Sequence, residues 1–68
     1  MNTTEFKHCS LHVIVTGTKD QISIMKIIEE FGEGSFISHH ETEISEESKM
    51  PAQLVLLGKK YLAEEASL

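Results

Sequence analysis

Four histidines are the side chains of this 68-residue sequence best suited to metal binding. They occur as His8 and His12, four residues apart, and as the adjacent His39 and His40 beside Glu41. Imidazole and carboxylate groups are ligands that zinc, copper and nickel accept. Residues four apart on a strand are separated by about 13 Å, however, which is too far for both side chains to bind one ion. We therefore expect no metal site and interpret the histidines as polar positions of a sheet.

Cys9 is the one cysteine in the sequence, so the chain has no pair for an internal disulfide. A lone thiol is typical of a reducing compartment, and we expect a cytoplasmic protein. Because Cys9 shares strand parity with Leu11, Val13 and Val15, we expect it to be a buried, inert thiol. The carboxylates show no pairing that indicates acid–base catalysis. The sequence therefore predicts neither an enzyme nor a cofactor.

Acidic residues are distributed unevenly along the chain. The net charge is −5, from eleven acidic residues and six basic ones, and no lysine or arginine occurs within 29–47. Binding to a phosphate backbone needs clustered Lys and Arg, so we expect no direct binding of nucleic acid. An acidic patch instead favours a partner protein with a basic surface. The residues predicted to form this acidic face are Glu29, Glu30, Glu33, Glu41, Glu43, Glu46 and Glu47.

Two segments alternate with the two-residue period of a strand. In 6–16, the odd-numbered residues form the better core face. In 35–45, one face carries the acids and the other is apolar at both ends. The inward face predicted for 35–45 consists of Phe36, Ser38, His40, Thr42 and Ile44. We expect 1–5 to be a flexible N-terminus and 45–50 to be a loop.

The segment between these strands has the pattern of a helix. Thr18 and Gln21 have the capping-box spacing, in which each side chain bonds the backbone N–H of the other residue. Apolar residues then recur at i, i+3, i+4 and i+7, and Gly32 follows as a typical helix stop. The predicted apolar stripe of this helix consists of Ile24, Ile27, Ile28 and Phe31.

The C-terminal third allows two interpretations. The first is a buried strand at 52–57, paired antiparallel with 35–44, followed by a helix over 59–68. The second is a single helix that begins at Pro51, a favoured first-turn residue. Gly58 would then lie in the middle of the helix at a cost of about 1 kcal/mol. We favour the strand and helix, because two parallel strands alone rarely form a stable sheet.

The predicted fold is therefore an α+β sandwich of order β-α-β-β-α over 1–68, taken as one domain. This is a split β-α-β (ferredoxin-like) layout with a three-stranded sheet and two helices on one face. The first strand would then expose a backbone edge along 11–15, with only Lys7 to protect it. Pairing of that edge predicts a homodimer or the addition of a strand to a partner's sheet.

The order of strand, turn, helix and Gly-containing turn resembles the ACT domain, a small-molecule-binding regulatory module. The matching segments are 20–25 at the helix start and 31–34 at the second turn. Ile22 and Ser23 replace the family's Pro and Gly, and the last strand is missing. The resemblance implies a dimer that senses an amino acid or another small ligand. The ligand-turn residues that it implies are Thr18, Asp20, Ser23 and Gly34.

Composition and size lead to a different functional hypothesis. The longest aliphatic run, 54–57, is far shorter than the roughly 20 residues of a membrane span, so we expect no membrane association. A small acidic chain without catalytic residues suggests a stand-alone protein-binding module that inhibits or modulates a partner. By analogy, phages and mobile elements make such proteins to block host complexes that handle nucleic acid. We take this as the primary hypothesis and the ligand sensor as the alternative.

Overall fold

The computed structural model describes residues 1–66, and within them it contains a four-stranded antiparallel sheet and one α-helix. Each strand pairs with its neighbour in sequence, so the sheet order is β1-β2-β3-β4. A short 3-10 helix at Glu47–Lys49 joins the sheet to α1. The elements are β1 Asn2–His8, β2 Leu11–Gly17, β3 Ile22–Glu33, β4 Phe36–Ile44 and α1 Ala52–Ala66.

The predicted split β-α-β fold, with a three-stranded sheet and two helices, is therefore wrong. The first difference lies in 6–16, which is not one strand. The chain reverses at Cys9 and Ser10, so that β1 and β2 form a hairpin in which His8 is opposite Leu11. Cys9 has a φ of 55°, the left-handed conformation that such a tight turn requires. Residues 2–5, expected to be flexible, form the first half of β1.

The second difference is the segment predicted as a helix, 18–31. Thr18 does make the bonds of a cap, because its Oγ1 accepts from the N–H groups of Asp20 (3.2 Å) and Gln21 (3.1 Å). Its own N–H, however, donates to the carbonyl oxygen of Gln21 at 2.8 Å. These bonds close a four-residue turn between β2 and β3. The same side-chain chemistry serves a cap and a turn, so the motif alone does not identify a helix.

Four isoleucines between residues 22 and 28 explain why the chain continues as strand β3. A β-branched side chain is restricted at χ1 in a helix and packs well on a pleated sheet. The isoleucines lie on both faces of β3: Ile22 and Ile27 face the helix, whereas Ile24 and Ile28 face the other way. A spacing of three and four residues is thus compatible with either structure.

The C-terminal segment forms one helix, Ala52–Ala66, so the predicted strand at 52–57 is wrong and the second interpretation is correct. Residues 67 and 68, which the predicted helix included, lie outside the described residues. Gly58 is buried where α1 crosses the sheet. A Cβ at this position would lie 2.9 Å from Ile22 Cδ1 and 3.2 Å from Val15 Cγ1. The glycine therefore lowers helix propensity but lets the helix approach the strands closely.

The core lies between α1 and one face of the sheet. Phe6 stacks on Tyr61 of the helix, with ring centroids 5.2 Å apart. The helix packs chiefly on β1 and less on β2 and β3. The buried apolar residues are Phe6, Val13, Val15, Ile22, Met25, Met50, Leu54 and Leu62.

The hairpin of β3 and β4 is longer than that of β1 and β2. The β1–β2 hairpin ends where Leu11 is opposite Glu29, whereas β3 and β4 continue to Glu33 and Phe36. Gly34, with a φ of 65°, is the first residue of the two-residue turn, the position at which type II′ turns use glycine. Residues 30–39 thus pair only with each other, and we call them the distal ribbon.

Candidate protein-interaction surface

The face of the sheet opposite α1 is left open by the described residues, and we call it the uncovered face. Residues directly opposite each other in an antiparallel sheet share a face, so the strand register assigns its members. The uncovered face consists of Thr3, Glu5, Lys7, His12, Ile14, Thr16, Ile24, Lys26, Ile28, Glu30, Ile37, His39, Glu41 and Glu43.

Three isoleucines of the uncovered face lie on its two middle strands, and a fourth lies on the distal ribbon. Ile14 on β2 and Ile28 on β3 are half-buried, although neither packs against the core under the helix. Ile24 is 41% exposed and Ile37, on the distal ribbon, is 69% exposed. Scattered exposed apolar side chains are normal, but a group such as Ile14, Ile24 and Ile28, on adjacent strands of one face, is typical of an interaction surface.

Charged side chains border these isoleucines. One row across the four strands reads Glu5, Ile14, Lys26, Glu43, and the next reads Lys7, His12, Ile28, Glu41. Two of the glutamates on this face contact histidines: His12 Nε2 lies 2.9 Å from Glu5 Oε2, and His39 Nε2 lies 3.4 Å from Glu41 Oε1. Apolar residues with charged residues around them are the usual composition of a protein interface, and here Lys26 also lies among the isoleucines, opposite Ile14.

The structure divides the seven glutamates predicted as one acidic face. Three of them, Glu30, Glu41 and Glu43, lie on the uncovered face. Glu29 and Glu33 share the opposite face of β3 with the core residues, and Glu29 is half-buried. Glu46 follows β4 and forms an ion pair with Lys49 at 3.0 Å. Glu5, outside the predicted set, joins the uncovered face through β1.

Glu47 has a structural role that its position in the sequence does not suggest. Its Oε1 accepts the backbone N–H of Ile22 at 2.9 Å, at the first residue of β3. Lys59 of α1 lies 3.2 Å from the same carboxylate. The hydrogen bond from Ile22, and then Lys59, hold the pKa of Glu47 below its usual value, although partial burial opposes them. Glu47 therefore joins three elements: the 3-10 helix, β3 and α1.

The four residues of the ligand turn implied by the ACT resemblance do not meet. Thr18 and Asp20 form the β2–β3 turn, and Ser23 lies at the adjacent irregularity in β3. Gly34 lies beyond the other end of β3, a strand of twelve residues, so it is roughly 35 Å away. Nor does a helix begin at Thr18, so this turn lacks the helix N-terminus that would attract an anion.

The histidines and the cysteine are dispersed. His12 and His39 lie on the uncovered face, whereas His8 and His40 lie on the helix side. Among residues 1–66, no three His, Cys, Asp or Glu side chains are close enough to hold a metal ion. The prediction of a buried Cys9 is wrong, since the thiol is exposed in the β1–β2 turn.

The edge predicted along 11–15 does not exist, because this segment lies in β2 and pairs with β1 on one side and β3 on the other. The free edges of the sheet belong to β1 and β4. The edge of β4 is not covered by α1, which leaves an apolar groove of about 480 Å³ between the helix and the strand. The groove is lined in part by Leu11, Ile27, Ile44, Pro51 and Leu54.

The sequence pattern missed the isoleucines of the uncovered face. A signal was present, because both parities of 22–28 are apolar, which on a strand requires an apolar residue on each face. That signal is visible only after the segment is recognised as a strand.

Comparison with protein-family models, with curated proteins and with solved structures finds no match to this chain. Among the described residues, no helix is long and apolar enough to cross a membrane.

Proposed function

We propose that this chain is a protein-binding module that inhibits or modulates a partner protein, and that the uncovered face is its contact surface. The observation that carries this proposal is the group of four isoleucines on that face, bordered by four glutamates. Burial of such an apolar centre drives association, and the charged border selects the partner. The proposed activity is occupation of a surface, without chemical conversion of a substrate.

The charge of the border points to a partner with a basic surface. Glu30, Glu41 and Glu43 lie at the β4 side of the face, where Lys26 is the nearest basic side chain across the strands. Proteins that handle nucleic acid present basic surfaces, so an inhibitor that blocks such a host complex fits this charge. A phage or a mobile element is the kind of source that we propose for an inhibitor of this type.

The contact surface can be tested by measuring the affinity of the chain for its partner. The partner is first isolated from the native host by affinity purification with the tagged chain. Ile24→Asp combined with Ile37→Asp places charges on two exposed positions of the face, and we expect at least about tenfold weaker binding. Leu56→Asp is the matched control, because Leu56 is 72% exposed on the outer side of α1. Equal affinity of the double variant and the wild type would overturn the proposal.

Charge reversal tests the acidic border separately. Glu41→Lys with Glu43→Lys should weaken binding without unfolding the chain, because both side chains are exposed. Rising salt should weaken binding of the wild type, since exposed charges are screened. A panel of amino acids in a thermal-shift assay tests the ligand-sensing alternative: stabilisation by one amino acid would favour that alternative.

A further inference from the structure

The outer edge of β4 lacks most of the features that normally prevent strands from pairing with another chain. It is nine residues long, contains no lysine or proline, and pairs with β3 without a bulge, and its charged side chains are Glu41 and Glu43. Every second residue of an edge strand directs its N–H and C=O groups away from the sheet. We propose that β4 pairs antiparallel with β4 of a second copy of this chain, joining two sheets into one of eight strands.

The residues of β4 favour one register for this pairing. A two-fold axis at His40, the middle residue of Phe36–Ile44, pairs all nine residues of each strand. On the uncovered face, His39 is then opposite Glu41 of the second copy, and the reverse contact occurs by symmetry. Since an imidazole N–H donates to a carboxylate, each of these pairs is complementary. The histidine at 39, whose Nε2 lies 3.4 Å from Glu41 Oε1 of its own strand, would then also face Glu41 of the second copy.

Neighbouring registers are less favourable. An axis at Glu41 pairs His39 with Glu43 twice, but it also places Glu41 directly opposite Glu41 of the second copy. An axis at Thr42 twice places Glu41 opposite Glu43. An axis at His39 leaves no opposite charges facing one another. Because like charges directly opposite are destabilising, the register centred on His40 is favoured both by its length and by its charges.

The helix side of β4 offers an apolar contact in the same register. Phe36, which is 73% exposed, would be opposite Ile44 of the second copy. Ile44 lines the groove between β4 and α1, so the aromatic ring would enter an apolar groove that the helix leaves open. The exposed ring and the open groove therefore complement each other across two copies, and the symmetry provides this contact twice.

The other free edge offers a shorter match. The middle residue of β1, Asn2–His8, is Glu5, so self-pairing of β1 over its full length would place Glu5 opposite Glu5 of the second copy, which is repulsive. An axis at Phe6 instead pairs Glu5 with Lys7, but it aligns only the five residues 4–8. The length over which complementary pairing is possible therefore favours β4 over β1.

This dimer goes beyond the proposed function and enlarges its surface. A two-fold axis perpendicular to the sheet places both uncovered faces on the same side. The dimer would thus present a continuous face of twice the width, and a symmetric or repetitive partner would engage both halves.

A charge exchange between two variants tests the pairing. In His39→Glu alone, residue 39 faces a glutamate of the second copy, and in Glu41→Lys alone, a lysine faces a histidine. We expect sedimentation velocity to show a dimer for the wild type, a dissociation constant raised at least about tenfold for each variant, and restored dimerisation when the variants are mixed. Glu5→Lys on β1 is the matched control and should leave the dimer intact.

A disulfide test reads the register directly. In a Cys9→Ser background, His40→Cys should crosslink two copies on oxidation, because residues directly opposite in antiparallel strands fall within disulfide range. Thr42→Cys should not, since position 42 would face Ser38. A wild type that remains monomeric at millimolar concentration overturns the proposal, as does equal crosslinking at the two positions. Because these tests need no partner protein, their outcome is independent of the proposed function.

Discussion

The half of the sheet beneath α1 and the distal ribbon use similar residues in opposite ways. Phe6 of β1 is 7% exposed and stacks on the helix, whereas Phe36 of β4 is 73% exposed. Met25 is completely buried, while Phe31, six residues further along the same strand, is 57% exposed. Strand β3 continues beyond the part of the sheet that α1 covers, so Phe31 is left exposed.

This difference separates stability from recognition. The covered half holds the buried residues, and burial of their apolar surface supplies the folding free energy. The distal ribbon and the uncovered face carry exposed apolar residues, and the packed core holds the strands that position them. Substitutions in the first region should therefore change the free energy of unfolding, and those in the second should change association.

The largest effect is expected in the covered half. Leu62→Ala removes a side chain that is 1% exposed and should lower the free energy of unfolding by about 3 kcal/mol, from lost burial and the cavity left behind. Leu56→Ala on the exposed side of the same helix should change it by less than about 0.5 kcal/mol. Urea denaturation monitored by circular dichroism measures both. Similar losses in the two variants would contradict the placement of α1.

Glu47 should make the covered half sensitive to acid. Its pKa is lower in the folded chain than in the unfolded chain, so its stabilisation is fully present above the unfolded pKa and is lost as the pH falls through the folded pKa. The melting temperature of the wild type should exceed that of Glu47→Gln at neutral pH, and the difference should shrink from about pH 6 to about pH 3. Glu46→Gln, whose ion pair is exposed, is the control. A difference that does not depend on pH would argue against this role.

The tight turn at Cys9 should give a smaller change of opposite sign. Cys9→Gly should stabilise the chain by about 0.5 kcal/mol, because relief of the left-handed strain exceeds the added flexibility of the unfolded chain. Ser10→Gly offers the comparison, since Ser10 does not have a positive φ. Chemical denaturation under reducing conditions measures the change, and destabilisation by Cys9→Gly would contradict this turn geometry.

The smallest effect on folding is expected in the distal ribbon. Phe36→Ala should alter the free energy of unfolding by less than about 0.5 kcal/mol when measured at concentrations at which the chain is monomeric. Phe6→Ala, the same substitution in the covered half, should cost about 3 kcal/mol. The difference between the free-energy losses of the two variants measures how much more the covered half contributes to stability than the distal ribbon. Equal losses would contradict the proposed difference between the two regions.

Part of the residue alternation could be predicted from the sequence. Residues 36–44 do form a strand, and Val13 and Val15 are core residues as expected, but Phe36, predicted to face inward, is 73% exposed. The helix predicted over 18–31 failed because the spacing of Ile24, Ile27 and Ile28 fits both a helix and a strand with two apolar faces. The β-branched composition of this segment favoured the strand, and tertiary pairing on both sides of β3 decided the outcome.

The candidate surface was harder to predict because it depends on long-range register. The acidic cluster in the sequence is divided between two faces once β3 and β4 form a hairpin, and Glu5 joins from the other end of the sheet. The interpretation of Gly58 also depended on tertiary contacts, because this residue argued against a helix in the sequence. Its cost to an isolated helix is visible in the sequence, whereas its contact with Ile22 and Val15 exists only after the helix lies on the sheet.

The packing of α1 on β1 also bears on how the chain is made. The three hairpins are local in sequence, so they form quickly, whereas closure of α1 on β1 brings together elements that are far apart in sequence. On the ribosome, the sheet can pair before α1 has left the exit tunnel. Nascent chains would then pass through a stage in which Phe6, Val13 and Val15 are open to water, and this is the moment at which we expect chaperone binding.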